Sequence, residues 1–227
     1  IIMCIVCTKE YKADETQISC CSEVETLPPV SELPLLQSLC CAHTRVQVIP
    51  CYPYLETLNC NNTRVSTLPA ASDLPHLHML NCSNTRVRDI PYYRQLSVLY
   101  CLNASEIENL PSADKFPYLY SLNCANTRVQ TIPCYPQLRV LNFSNTQVSE
   151  LPDFPCISDI SCENTPIRTI PTCPLLSFVY AGNCRLLTSL GNSRLVRAST
   201  GGSIWISPSI NRMRSVSYTH LTLPTIL

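Results

Sequence analysis

With 227 residues the chain has room for one large domain or two small ones. Its 16 Lys+Arg balance 16 Asp+Glu, and a net charge of zero leaves no electrostatic footprint for nucleic acid or an anionic membrane surface. Four glycines against 19 prolines exclude long helices wherever the prolines recur, because each fixes φ and removes an N–H donor.

The chain opens on "IIMCIVC", an apolar run far too short to span a bilayer. It has neither the charged start nor the cleavage site of a secretory signal, and Met3 is the expected start of translation. Residues 1–17 are read as an N-terminal segment or cap. Within them "CIVC" is a C-x-x-C pair, and Cys20 and Cys21 follow; Cys4, Cys7, Cys20 and Cys21 are the four sulfurs a zinc site would use. The usual second C-x-x-C is absent and Cys20 already has a place in the repeat, so the reading is a cap with incidental cysteines and no cofactor.

From residue 18 to 190 one unit repeats. "LNCNNTRVSTLP" (58–69), "LNCSNTRVRDIP" (80–91), "LNCANTRVQTIP" (122–133) and "LNFSNTQVSELP" (141–152) align on L-x-C-x-N-T-x-V-x-x-[IL]-P, with Phe143 in the cysteine slot of the last. The first aliphatic slot falls at Ile18, Leu39, Leu58, Leu80, Leu99, Leu122, Leu141, Ile160 and Val179, with a degenerate tenth copy at Ala198. A period near 20 residues is the signature of a solenoid, whose short units bury their apolar side only by stacking. Two residues apart, Leu58 and Cys60 share one side of a strand while Asn59 takes the other. Asn62, Asn84, Asn126, Asn145 and Asn164 sit at the following turn, with His43 and Asn103 in the slot elsewhere. Their amides are expected to satisfy buried turn backbone. Val46, Val65, Val87, Ile107, Val129, Val148, Ile167 and Leu186 form the next expected core column.

The motif L-x-x-L-x-C-x-N-T-x-V-x-x-[IL]-P resembles the leucine-rich repeat, with cysteine replacing the third leucine. Its short, proline-containing form is similar to repeats of bacterial effectors and, in its cysteine content, of large DNA viruses. The resemblance implies a leucine-rich repeat solenoid, an arc with a parallel β-sheet on its concave face. The return path is as short as "CYPY" between Pro50 and Leu55, so the convex side is expected to be extended, polyproline-like and almost free of helix. Three longer connections, "PVSELPLL", "AASDLPHL" and "SADKFPYL", have room for a single helical turn each.

Sixteen cysteines in a small chain raise the question of a disulfide framework. Cys20, Cys41, Cys60, Cys82, Cys101, Cys124 and Cys162 fall instead in one column that also holds Phe143 and Ala181, so the slot asks for an apolar filler. In-register parallel strands do not give the Cβ approach a disulfide needs. Reduced thiols imply a reducing, cytoplasmic setting, within a host cell if the protein is viral or an effector. Arg45, Arg64, Arg86 and Arg128 line one edge, read as solvated. Residues 191–213 are read as a worn last coil and cap, with Trp205 over the open end of the core, and 214–227 as a non-native tail.

No catalytic set, phosphate loop or H-E-x-x-H motif occurs. The expected function is a non-enzymatic, monomeric scaffold that binds another protein, with no nucleic-acid or membrane partner. The candidate surface is the outward side of the strands: Asn59, Met79, Asn81, Tyr100, Asn123, Asn142, Asp159, Phe178 and Tyr180. Two alternatives are the repeat portion of a truncated, effector-like enzyme and a module built on an N-terminal cysteine zinc site.

Overall fold

The computed structural model describes residues 4–191 and 197–199; the Trp205 cap and the tail 214–227 lie outside the described residues. Ten three-residue strands follow one another: β1 (Gln17–Ser19), β2 (Ser38–Cys40), β3 (Thr57–Asn59), β4 (Met79–Asn81), β5 (Val98–Tyr100), β6 (Ser121–Asn123), β7 (Val140–Asn142), β8 (Asp159–Ser161), β9 (Phe178–Tyr180) and β10 (Arg197–Ser199). They form one parallel sheet in sequence order. The aliphatic slots pair across every step, Ile18 with Leu39, Leu58 with Leu80, and finally Val179 with Ala198. The degenerate tenth copy therefore contributes a strand in register. The only helix among the described residues is α1 (Ile5–Thr8), and the rest is the expected leucine-rich repeat solenoid.

The core is a set of stacked columns. Leu58, Leu80, Leu99 and their equivalents lie beside Cys41, Cys60, Cys82, Cys101, Cys124, Phe143, Cys162 and Ala181, all buried. All sixteen cysteines are free thiols. Burial pushes the Cys82 and Cys124 thiols up to about 12, so they sit in the core as neutral filler.

The asparagine column works differently from the expectation. Asn62, Asn84, Asn103, Asn126, Asn145, Asn164 and Asn183 all have φ between 53° and 58°, and His43 joins them at 59°. This left-handed region is open at low cost to glycine and next to asparagine, and this chain is poor in glycine. From His43 to Asn164 the conformation turns the backbone N–H onto a carbonyl of the next coil, as in Asn62 to Ser83 at 2.9 Å and Asn84 to Leu102 at 2.7 Å. The amides themselves point to solvent, where some form a ladder: Asn103 donates to Asn84, Asn164 to Asn145 and Asn183 to Asn164. The buried turn carbonyls are met by the neighbouring threonines. Thr44, Thr63, Thr85, Thr127, Thr146 and Thr165 each donate their hydroxyl to the carbonyl three residues back, at 2.6–2.7 Å. The recurring Asn-Thr pair is thus a left-handed bend followed by a hydroxyl that serves the cysteine column's carbonyl.

Leu186 is a correction. It is exposed, and the half-buried Leu187 packs on the core instead. The turn after Asn183 carries one extra residue, as does the turn from Asn103 to Ile107, and both close with backbone bonds where threonine is missing: Ala104 to Cys101 and Cys184 to Ala181.

The convex side is irregular chain with single turns. The three longer connections each hold one turn closed by bonds such as Glu32 to Pro29, Asp73 to Ala70 and Lys115 to Ser112. Each is followed by a shorter coil that carries a buried tyrosine. Tyr52, Tyr93 and Tyr135 donate their hydroxyls to the carbonyls of Pro28, Pro69 and Pro111 in the longer coil before, all at 2.6 Å. Where the preceding coil is short, the same position is Phe154 or Cys173, which have no such duty. Burial pushes the three phenols above their ordinary range, so they stay protonated donors.

Two substitutions test these assignments by chemical denaturation. Tyr93→Phe leaves the Pro69 carbonyl unmet and is expected to cost about 1–3 kcal/mol. At Asn126, outside the amide ladder, Asn126→Gly is expected to be near neutral, whereas Asn126→Val should cost at least about 1–2 kcal/mol for its left-handed φ.

Candidate functional site

Two places on this scaffold carry side chains beyond what stacking requires: the outward face of the sheet and the N-terminal sulfurs. On the sheet, Asn59, Asn81, Asn123 and Asn142 end their strands in one column, half-buried. Each turns its Oδ1 onto the backbone N–H two residues on, at 3.0–3.2 Å, closing the exit from the strand. These four residues thus have a structural duty that sequence reasoning did not assign.

The same column holds Tyr100 and Ser161, and there the duty has moved. The N–H of Leu102 donates to the Ser83 hydroxyl at 3.2 Å, and that of Glu163 to the Ser144 hydroxyl at 3.1 Å, both from the coil before. A serine one coil earlier therefore releases the strand end for another residue. Tyr180 ends β9, and 44% of it is exposed.

The parallel column holds Met79, Val98, Ser121, Val140, Asp159 and Phe178, side by side in the ladder. Val98 and Ser121 are buried, Met79, Asp159 and Phe178 are half-buried, and Val140 is 42% exposed. Tyr120, at the edge of the sheet, is also exposed, and its carbonyl receives the N–H of Val140. Asp159 accepts from the Ser158 hydroxyl at 2.5 Å. The face is mixed: Val140, Phe178 and Tyr180 stand among Ser121, Asn123, Asn142, Asp159 and Ser161 in its C-terminal half.

The arginine edge is partly neutralised. Arg45 pairs with Glu25 at 3.1 Å and Arg128 with Glu108 at 3.7 Å, each reaching to the preceding coil. Such exposed pairs contribute little to stability, but they break any continuous cationic row.

At the N-terminus the structure brings together three of the four candidate sulfurs. The Sγ atoms of Cys4, Cys7 and Cys21 lie within 4.8 Å of one another. The Cys4–Cys7 separation is 3.9 Å and Cys7–Cys21 is 3.3 Å. Cys20 is not in the group; it belongs to the core side, and burial pushes its thiol up to about 12. Residues two apart on a strand share a face and adjacent ones do not, so Cys20 and Cys21 could not both join. The backbone N–H of Cys4, the Cys7 thiol and the N–H of Glu23 all favour a charged Cys21, whose pKa falls to about 7, while Cys7 is pushed up.

A family model for leucine-rich repeats in two copies matches residues 53–95. No curated protein matches the sequence. Among solved structures the chain is similar to an internalin, InlF, of Listeria monocytogenes, with TM-score 0.61 and 13% identity over 85% of this chain and 70% of that one. It is also similar to the functional domain of InlJ from Listeria monocytogenes, which includes a cysteine ladder; there the TM-score is 0.53 at 20% identity, over 77% of this chain and 50% of that one. A leucine-rich repeat protein of Leptospira interrogans gives TM-score 0.53 and 20% identity over 61% of this chain and 40% of that one. The chain thus spans half or less of the length of the last two. These likenesses show the fold, a leucine-rich repeat solenoid.

Burial sorts the cysteines by reactivity. Brief alkylation of the reduced native protein near pH 7, read by peptide mass spectrometry, should label exposed Cys134 and the half-buried, low-pKa Cys21 and Cys184 first, and exposed Cys51, whose thiol is held above its usual range, more slowly. Cys60, Cys82, Cys101 and Cys124 should stay unlabelled until the protein is unfolded.

Proposed function

We propose that this leucine-rich repeat solenoid is a non-enzymatic scaffold that binds another protein on the concave face of its sheet. The observation that carries the reading is the break in the asparagine column. At Tyr100 the N–H of Leu102 is served by Ser83 of the preceding coil, so a large aromatic stands where four other strands end in an amide tied to its own turn. Position 100 is free to serve recognition, whereas Asn59, Asn81, Asn123 and Asn142 are tied to their own turns.

The residues best suited to contact are Tyr100, Phe178 and Tyr180, with Met79, Val140 and Asp159 beside them. Tyrosine and phenylalanine supply large contact area with little rotamer entropy to lose, which makes them effective anchors. Tyr100 and Tyr180 stand four strands apart, about 19 Å at the usual strand spacing. That span suits a protein surface or an extended segment better than a small molecule. The core of free thiols suits a reducing, intracellular compartment.

The test is affinity capture with the reduced chain as bait, followed by identification of the retained protein and titration of the purified pair. Tyr100→Ala and Tyr180→Ala on the concave face should each weaken binding by at least about tenfold, the loss of a central aromatic anchor. Tyr92→Ala and Tyr118→Ala, on exposed aromatics away from the strands, should leave binding unchanged. The opposite pattern moves the binding surface to the convex side and overturns the reading.

A further inference from the structure

We infer that Cys4, Cys7 and Cys21 form a binding site for one thiophilic metal ion, Zn²⁺ by ligand chemistry, which pins the N-terminal segment to the first coil. Three sulfurs from two separate segments converge: Cys4 and Cys7 bracket the single turn of α1, and Cys21 follows β1. Among the described residues this is the only group of three or more cysteine, histidine or carboxylate ligands gathered this closely. Zinc–sulfur bonds of about 2.3 Å in tetrahedral array set neighbouring sulfurs about 3.8 Å apart. The Cys4–Cys7 separation of 3.9 Å already fits, and the 3.3 Å Cys7–Cys21 pair needs to open by only about half an ångström.

All three sulfurs are half-buried, so an ion can reach them from solvent. The donor set is soft, three thiol sulfurs with no carboxylate among them. The fourth coordination position has no cysteine, since Cys20 faces the core, and is left to water or to an outside donor.

The local structure explains why such a site is useful. Of α1 only Val6 is buried, and a four-residue helix cannot stand by itself in water. Tyr11, which donates to the Glu32 carboxylate, is a second tie of the segment to the repeats, before the Thr16 carbonyl joins the sheet. A metal that joins Cys4 and Cys7 to Cys21 closes the segment onto the sheet edge at β1. Each thiol gives up its proton on binding, so occupancy rises with pH until the thiolates are formed.

The test uses the full chain, reduced, stripped with a chelator and titrated with Co²⁺ and then Zn²⁺. The expected result is one equivalent of Co²⁺ with sulfur-to-cobalt charge-transfer absorption, displaced by Zn²⁺. Zn²⁺ should also protect Cys4, Cys7 and Cys21 from alkylation in the wild-type protein while Cys51 and Cys134 remain reactive, a readout that needs no variant. Cys4→Ser, Cys7→Ser and Cys21→Ser should each weaken binding at least about 100-fold, more than loss of an outer partner. Cys20→Ser and Cys134→Ser should bind as wild type. Less than half an equivalent of bound metal, protection that does not map to these three residues, or a Cys7–Cys21 disulfide that persists in place of metal binding would each overturn the proposal.

Discussion

The whole molecule depends on one repeated act: a backbone N–H of each coil donates to a carbonyl of the coil beside it, at the strand and again at the bend. Cys41 donates to Asn59 and His43 to Asn61; Cys60 donates to Asn81 and Asn62 to Ser83. The bend bond exists because the residue before the threonine is left-handed. A coil of 19 residues cannot satisfy its own polar backbone or bury its own apolar side, so its stability is borrowed from its neighbours. Column identity follows from this. Leucine, cysteine and valine slots face one another in register, and a change in one coil is felt by the two it touches.

Length variation shows how strict that register is. Three coils carry extra residues on the convex side, yet the strands on either side remain paired residue for residue. The insertion turns a proline carbonyl away from its usual backbone partner. Pro50, Pro91 and Pro133 receive the N–H two residues on, whereas Pro28, Pro69 and Pro111 receive a tyrosine hydroxyl from the next coil. The phenol reaches where the backbone no longer can. Short coils following short coils use Phe154 and Cys173 at the same place, because no displaced carbonyl waits there.

The architecture was legible in the sequence because stacking writes itself as a period, and Ala198 was placed correctly by spacing alone. The cysteine column was legible for the same reason: Phe143 and Ala181 in the slot identify a volume requirement. Function of the turn residues was not. An asparagine chosen for its φ and one chosen for its side-chain bonds look identical in a sequence, so the amides were assigned a buried role that Thr63 and its equivalents fill. Leu186 was misplaced because a fixed offset from Asn183 ignores the extra turn residue that Ile107 had already signalled. The site was half legible. Cys4, Cys7 and Cys21 were named with Cys20, and only the two faces of a strand separate the three from the fourth.

The division of labour on the sheet bears directly on the proposal that its concave face binds a partner. At four strand ends asparagine supplies an acceptor for the N–H two residues on from the face of the sheet itself. Moving the acceptor to Ser83 or Ser144, which sit in the turn rather than on the face, relieves the side chains at positions 100 and 161 of that bond. Ser83 and Ser144 occupy that turn slot where Asn61 and Ala125 stand in other coils. At positions 100 and 161 a single turn residue in the coil before thus takes over the bond that asparagine makes elsewhere, while Cys40 and Tyr180 end their strands with neither device.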